Sequence, residues 1–155
     1  MTLKSVISAL HSLALQTPGV RTVILNDFYR INSQPNIEYG CVGIQQTQHE
    51  VLADSSTIRY GFQMVYADRL TTDRSNEVDI HSDGILILGN IINALHQLTN
   101  ADVYSDITYE TTVQRFIDEC AVVVATFSIE TAFDLGNCFE AGREGFTYQF
   151  DFELK

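Results

Sequence analysis

At 155 residues the chain has the size of one domain, long enough to bury about two thirds of its unfolded surface, so its core needs no disulfide or metal. Lys plus Arg number 9 and Asp plus Glu 20, a net charge of −11 that excludes a basic footprint for gripping phosphates or anionic membrane surfaces. Apolar residues make up 45% of the chain, an ordinary globular fraction that excludes wholesale disorder, and the acidity serves either solubility or a surface that must repel a polyanion.

Leu3, Val6, Ile7, Leu10, Leu13 and Ala14 recur at helical spacing, and Thr17-Pro18-Gly19 stops that helix. Val20 to Leu25 is β-branched and predicts a short strand, followed by a polar loop over Asn26 to Asn36 that carries Pro35. Ile37 to Gln48 predicts a second strand, weakened by Gly40 and Gly43. Thr57 to Asp68 alternates strictly, with Ile58, Tyr60, Phe62, Met64 and Tyr66 on one side, as expected of a sheet with one buried face.

Polar residues from Thr71 to Asn76 precede a long helix that reaches about Leu98, with Asp73 or Ser75 as the expected cap. Ile85, Leu88, Ile91, Ile92, Leu95 and Leu98 form its expected buried stripe, while Gly84 and Gly89 weaken it or permit close packing. Tyr104 to Phe116 predicts a Thr-rich strand with Ile107, Tyr109 and Val113 on one side. Asp118-Glu119 is the expected turn into a strand over Cys120 to Phe133, where Ala121, Val123, Ala125, Phe127, Ile129, Thr131 and Phe133 share a face. A Gly-rich loop is expected from Asp134 to Gly145.

In the last ten residues Phe146, Tyr148, Phe150, Phe152 and Leu154 alternate with polar residues, a strong strand signal whose apolar face must be covered by its own domain or by a neighbour's sheet. The sequence thus predicts an α+β fold, a mostly antiparallel sheet of about five to six strands packed against two helices. Residues 1–145 form one domain, and residues 146–155 form a strand or arm that docks on a neighbouring subunit.

Motifs for phosphate cradling, dinucleotide binding, zinc hydrolysis or a serine nucleophile do not occur in the sequence. Cys41, Cys120 and Cys138 are odd in number and unpaired in spacing; Cys41 and Cys120 sit in apolar runs, which suits a reducing compartment. Cys120 and Cys138 serve as nucleophiles only if the fold brings a histidine to them, and His81 with Asp79 and Asp83 reads as a solvated helix end before it reads as a metal site. Asp73, Glu77, Asp79 and Asp83 lack the spacing of a calcium loop and are expected as an acidic rim at the helix N-terminus. Catalytic, cofactor-binding and metal residues are therefore expected to be none, and so are cofactors. The opening residues lack a secretory pattern, and apolar runs fall short of a membrane span, so cytoplasmic synthesis is expected.

The order of elements also carries a resemblance. An amphipathic helix ends in Pro18-Gly19-Val20, and Ile37-Glu38-Tyr39-Gly40-Cys41-Val42-Gly43-Ile44 leads to a long alternating strand. A polar turn precedes a long helix closing near Asn93-Ala94-Leu95, and an apolar strand ends in Phe127-Ser128-Ile129-Glu130-Thr131. Over Leu3 to Phe133 this resembles the tail-terminator and head–tail connector (neck ring) proteins of tailed bacteriophages, with a polar, Tyr-rich flavour similar to neck rings of crAss-like phages. The resemblance implies a non-enzymatic virion protein, one subunit of a ring of about six or twelve copies, joined to portal, neck or tail proteins. DNA would pass its channel without specific binding, and no membrane is involved. The extension Phe146–Lys155 departs from the simplest pattern of that family. A reading from another class is a cytosolic binding or scaffold module that docks a protein partner through its last strand. A third is an enzyme whose Asp, His and Cys residues converge only in the fold.

Overall fold

The structure is a computed structural model that describes residues 1–33, 37–99 and 102–132, with residues 102–106 described by their backbone. Helix α1 spans Leu3–Gln16 and buries Val6, Leu10 and Ala14. Its start is fixed by a capping box in which the Thr2 side chain accepts from the Ser5 amide and Ser5 returns a bond to the Thr2 amide. Strand β1 (Thr22–Leu25) is shorter than the expected Val20–Leu25, because residues before it turn at Gly19, φ +90°. A 3-10 segment, Phe28–Ser33, occupies part of the expected loop. Strand β2 (Cys41–Leu52) begins later than Ile37 and continues past Gln48; β3 follows as Thr57–Arg69.

Helix α2 runs Glu77–Thr99, β4 Asp102–Arg115 and β5 Glu119–Ala132. The β4–β5 turn is Phe116–Asp118, closed by the Phe116 amide donating to the Asp118 carbonyl at 2.9 Å, so Glu119 belongs to β5. The loop Asp134–Gly145 and the strand Phe146–Lys155 expected from the sequence lie outside the described residues.

The five strands form one sheet in the order β1-β2-β3-β5-β4. It was expected to be mostly antiparallel and is mixed. β1 pairs parallel with β2, Thr22 opposite Cys41, while the other three ladders are antiparallel. The cause is the stretch 26–40, long enough to carry the chain back to the end of the sheet where β1 began. Two positive-φ glycines sit at that return: Gly40 (φ +89°) offers its carbonyl to the Arg21 amide at 2.9 Å, with Gly19 against it. β2 also carries a bulge at Thr47-Gln48, seated on Gly61, where a side chain would collide with both.

Both helices cover one face. Phe62, Ile91, Leu95, Val123 and Phe127 are all at most 2% exposed in that core, as the alternation predicted. Part of the expected α2 stripe is corrected: Ile85 is 36% exposed and Leu98 70%, while Ile80 and Gly84 take the inner positions. Helical phase explains Ile85, which the stripe centred on Leu88, Ile91 and Leu95 points to its margin; Leu98 is in phase with that stripe but stands in the last turn of the helix. The expected caps are also corrected. Asp73 accepts from the Ser75 amide (3.2 Å) and from Thr71 Oγ1 (2.8 Å) inside the preceding turn, and Asn76 stands next to the helix start, its carbonyl accepting from Ile80 N–H at 3.0 Å.

A further correction concerns the opposite face of β3. Val65 and Ala67 are buried there with Ile24, Phe28, Ile31, Cys41, Phe116, Cys120 and Val122, a second apolar cluster closed by the 3-10 segment. Phe28 lies on Gly43 and meets Phe116 edge-on at 5.5 Å, so this end of the sheet is buried on both faces. Further along, the same face is polar: Arg59 reaches Glu50 at 3.3 Å and Glu130 at 3.5 Å across three strands.

Candidate functional site

The four acidic residues singled out in the sequence do not act as one group. Asp73 is committed to its own turn, and those hydrogen bonds, from Thr71 first and then Ser75, hold its carboxyl below the usual carboxylate range. Glu77 and Asp79 occupy the first turn of α2, where carboxylates complement the helix dipole. Asp83, one turn on, belongs instead to the wall of a cleft. Among the described residues no set of three or more His, Cys, Asp or Glu side chains is arranged to hold a metal ion. The residues Phe146, Tyr148, Phe150, Phe152 and Leu154 lie outside the described residues.

The cleft has a volume of about 880 Å³. It forms where the α1 stop sequence, the stretch before β2, the end of β3 and the middle of α2 converge. Pro18, Leu86 and Ile87 give it an apolar wall, and Arg21, Glu38, Asp68, Asp83 and Asn90 give it polar groups of both signs. Two of its lining residues, Tyr39 and Arg69, belong to a three-residue network with Asp118. Tyr39 donates its hydroxyl to Asp118 Oδ2 at 2.7 Å, Arg69 Nη2 donates to the same oxygen at 2.8 Å, and the guanidinium lies 4.9 Å from the centre of the Tyr39 ring.

The network sets its own ionisation. The Tyr39 hydrogen bond, followed by that of Arg69, holds Asp118 below the ordinary carboxylate range. Burial, followed by the bond to Asp118, raises the Tyr39 phenol. Tyr66 is pushed up to about 12 by burial and by the nearby charges of Asp68 and Asp83. Both phenols are therefore neutral hydrogen-bond donors near neutrality.

Cys41 and Cys120 are fully buried, and burial pushes each thiol up to about 11. They point into the second cluster, each near a backbone carbonyl, Glu38 at 3.4 Å and Asp118 at 3.7 Å. A protonated, buried thiol is a packing group. Cys138 lies outside the described residues. His81 Nε2 lies 3.1 Å from the Thr112 carbonyl, a bond that requires the proton on Nε2 and engages the ring with the sheet edge.

Tyr39, Arg69 and Asp118 escaped the sequence reading because they are far apart in the chain. Only the antiparallel pairing of Arg69 with Cys120 brings the ends of β3 and the β4–β5 turn together. Comparison with known proteins gives no matching protein family and no matching curated protein.

Proposed function

We propose that this chain is a structural assembly subunit without catalytic activity, one copy of a ring in the head–tail connector of a tailed bacteriophage virion. The observation that carries the assembly reading is the sheet edge at β4, fourteen residues long and laddered on one side only among the described residues. An edge of that length is a template for a further strand, its regular part being Thr108–Arg115 beyond the register shift at Tyr104. The connector reading rests on the resemblance in element order and on the charge. At −11 per copy, a ring of about six or twelve subunits would repel DNA and let it pass its channel without adhering.

Light scattering or electron microscopy of the purified protein, alone or with its neck partners, should show closed rings of about six or twelve copies. A single copy in the mature particle at high resolution would end this reading. The cleft supports a second one, a binding module that seats a protein partner against Leu86, Ile87 and the surrounding charges. That module would remain a monomer or dimer and retain one specific partner.

A further inference from the structure

We infer that the open edge of β4, together with the flank of α2 that carries Val78 and Ile85, is the acceptor groove for the aromatic segment Phe146–Lys155 of a second copy. This rests on the assembly reading above and names the surfaces that would carry it.

The two edges of the sheet are unequal. β1 is four residues long, whereas β4 is fourteen. The helix-side face of β4 carries Ile107, Tyr109 and Val113, each only half-buried against the main core. α2 runs alongside. His81 bonds to the Thr112 carbonyl at 3.1 Å, and a side chain grown on Gly89 would meet the Tyr109 hydroxyl at 3.2 Å. Val78 and Ile85 lie on the same flank of the helix as His81 and Gly89, and they are 76% and 36% exposed. The edge is therefore bordered by an apolar shelf with nothing over it among the described residues.

The proposed occupant matches both sides of this edge. Phe146, Tyr148, Phe150, Phe152 and Leu154 would extend the apolar shelf, stacking beside Ile107, Tyr109 and Val113 and under Val78 and Ile85. Thr147, Gln149, Asp151, Glu153 and Lys155 would then extend the other face, where Thr108, Glu110, Thr112 and Gln114 are polar. Ten residues of strand span about 33 Å, so the segment would cover the regular run Thr108–Arg115 and reach into the register shift between Tyr104 and Thr108. Main-chain hydrogen bonds would supply affinity and the alternating aromatics would set the register.

The assembly reading requires a contact between copies, and the occupant is drawn from a second copy on that ground. β5 ends at Ala132 beside the start of β4, where Asp102 pairs with Glu130. Donor and acceptor on one chain make a head-to-tail contact that is free to repeat and close.

The test uses full-length protein with two sets of substitutions. Val78→Glu with Ile85→Glu spoils the acceptor at exposed positions; Phe150→Ser with Phe152→Ser spoils the donor. Each variant alone should lose self-association, its half-assembly concentration rising at least about 100-fold, with the helix and strand circular dichroism retained. Mixed together, the two should form one-to-one pairs and stop there, since only one productive donor–acceptor contact remains. If the parent assembles and both variants assemble equally well, the acceptor assignment falls while the assembly reading stands. If the parent is monomeric at every concentration, both fall. If the parent assembles and the donor variant alone melts earlier without changing mass, the segment packs on its own sheet and the exchange between copies is overturned.

Discussion

Phe62 and Phe127 face each other across β3 and β5, their ring centroids 5.8 Å apart and their planes 29° from parallel. Both are at most 2% exposed, and they lie at the centre of the core that α1 and α2 close. Phe127→Ala should lower unfolding stability by about 3–5 kcal/mol, through lost burial and the cavity left opposite Phe62. Urea titration measures it, and a loss under about 1 kcal/mol would show that the ring is not packed there.

Gly84 and Gly89 should respond in opposite directions to the same substitution. A Cβ on Gly84 would stand 2.7 Å from Val123 Cγ2 and 2.8 Å from Tyr66 Cδ1, both in the packed core. Gly84→Ala should therefore destabilise by about 1–3 kcal/mol despite its gain in helix propensity. At Gly89 the neighbour is the end of a half-buried tyrosine at 3.2 Å, which can move aside. Gly89→Ala should stabilise by about 0.5–1 kcal/mol, read in the same denaturant titrations.

Acid should act on Asp118 through its two donors. Its folded pKa is depressed by Tyr39 and then Arg69, so its contribution is present above the unfolded value, about 4, and is lost as pH falls through the folded value. The melting temperature of the parent protein should fall more steeply below about pH 4 than that of Asp118→Asn. Equal slopes would mean that the network does not couple to folding.

Alkali should act on the buried thiols and phenols. Cys41 and Cys120 are raised from 9.0 to about 11, so their contribution is complete below the unfolded value and is lost as pH rises through the folded one. Melting temperature should decline from about pH 9 to pH 11, and Cys41→Ala with Cys120→Ala should flatten that decline. In the native protein near neutral pH both thiols should resist a thiol-specific reagent until unfolding. Rapid modification of either would contradict its burial.

Much of this fold was legible in the sequence because periodicity reports which side of an element avoids water. The alternation of Tyr60, Phe62, Met64 and Tyr66, and that of Ala121, Val123, Ala125, Phe127 and Ile129, placed the same residues on the helix-covered face that the structure buries. The α1 stripe and its stop at Thr17-Pro18-Gly19 were equally local, as was the existence of α2. Periodicity does not report the partner of an element. The parallel pairing of β1 with β2, and the insertion of β5 between β3 and β4, depend on crossovers whose direction no short stretch encodes. Val65, Ala67 and Val122 looked like the solvent side of their strands until Phe28, Ile31 and Phe116 closed over them. Ile85 looked buried until the phase of α2 on the sheet was set by Gly84 meeting Tyr66 and Val123, and Leu98, in phase with the buried stripe, is exposed in the last turn of the helix. The Tyr39–Arg69–Asp118 network exists only because antiparallel pairing brings the end of β3 to the turn before β5, a contact between residues up to 79 positions apart. Local pattern determined what each segment would bury, and long-range packing decided against what.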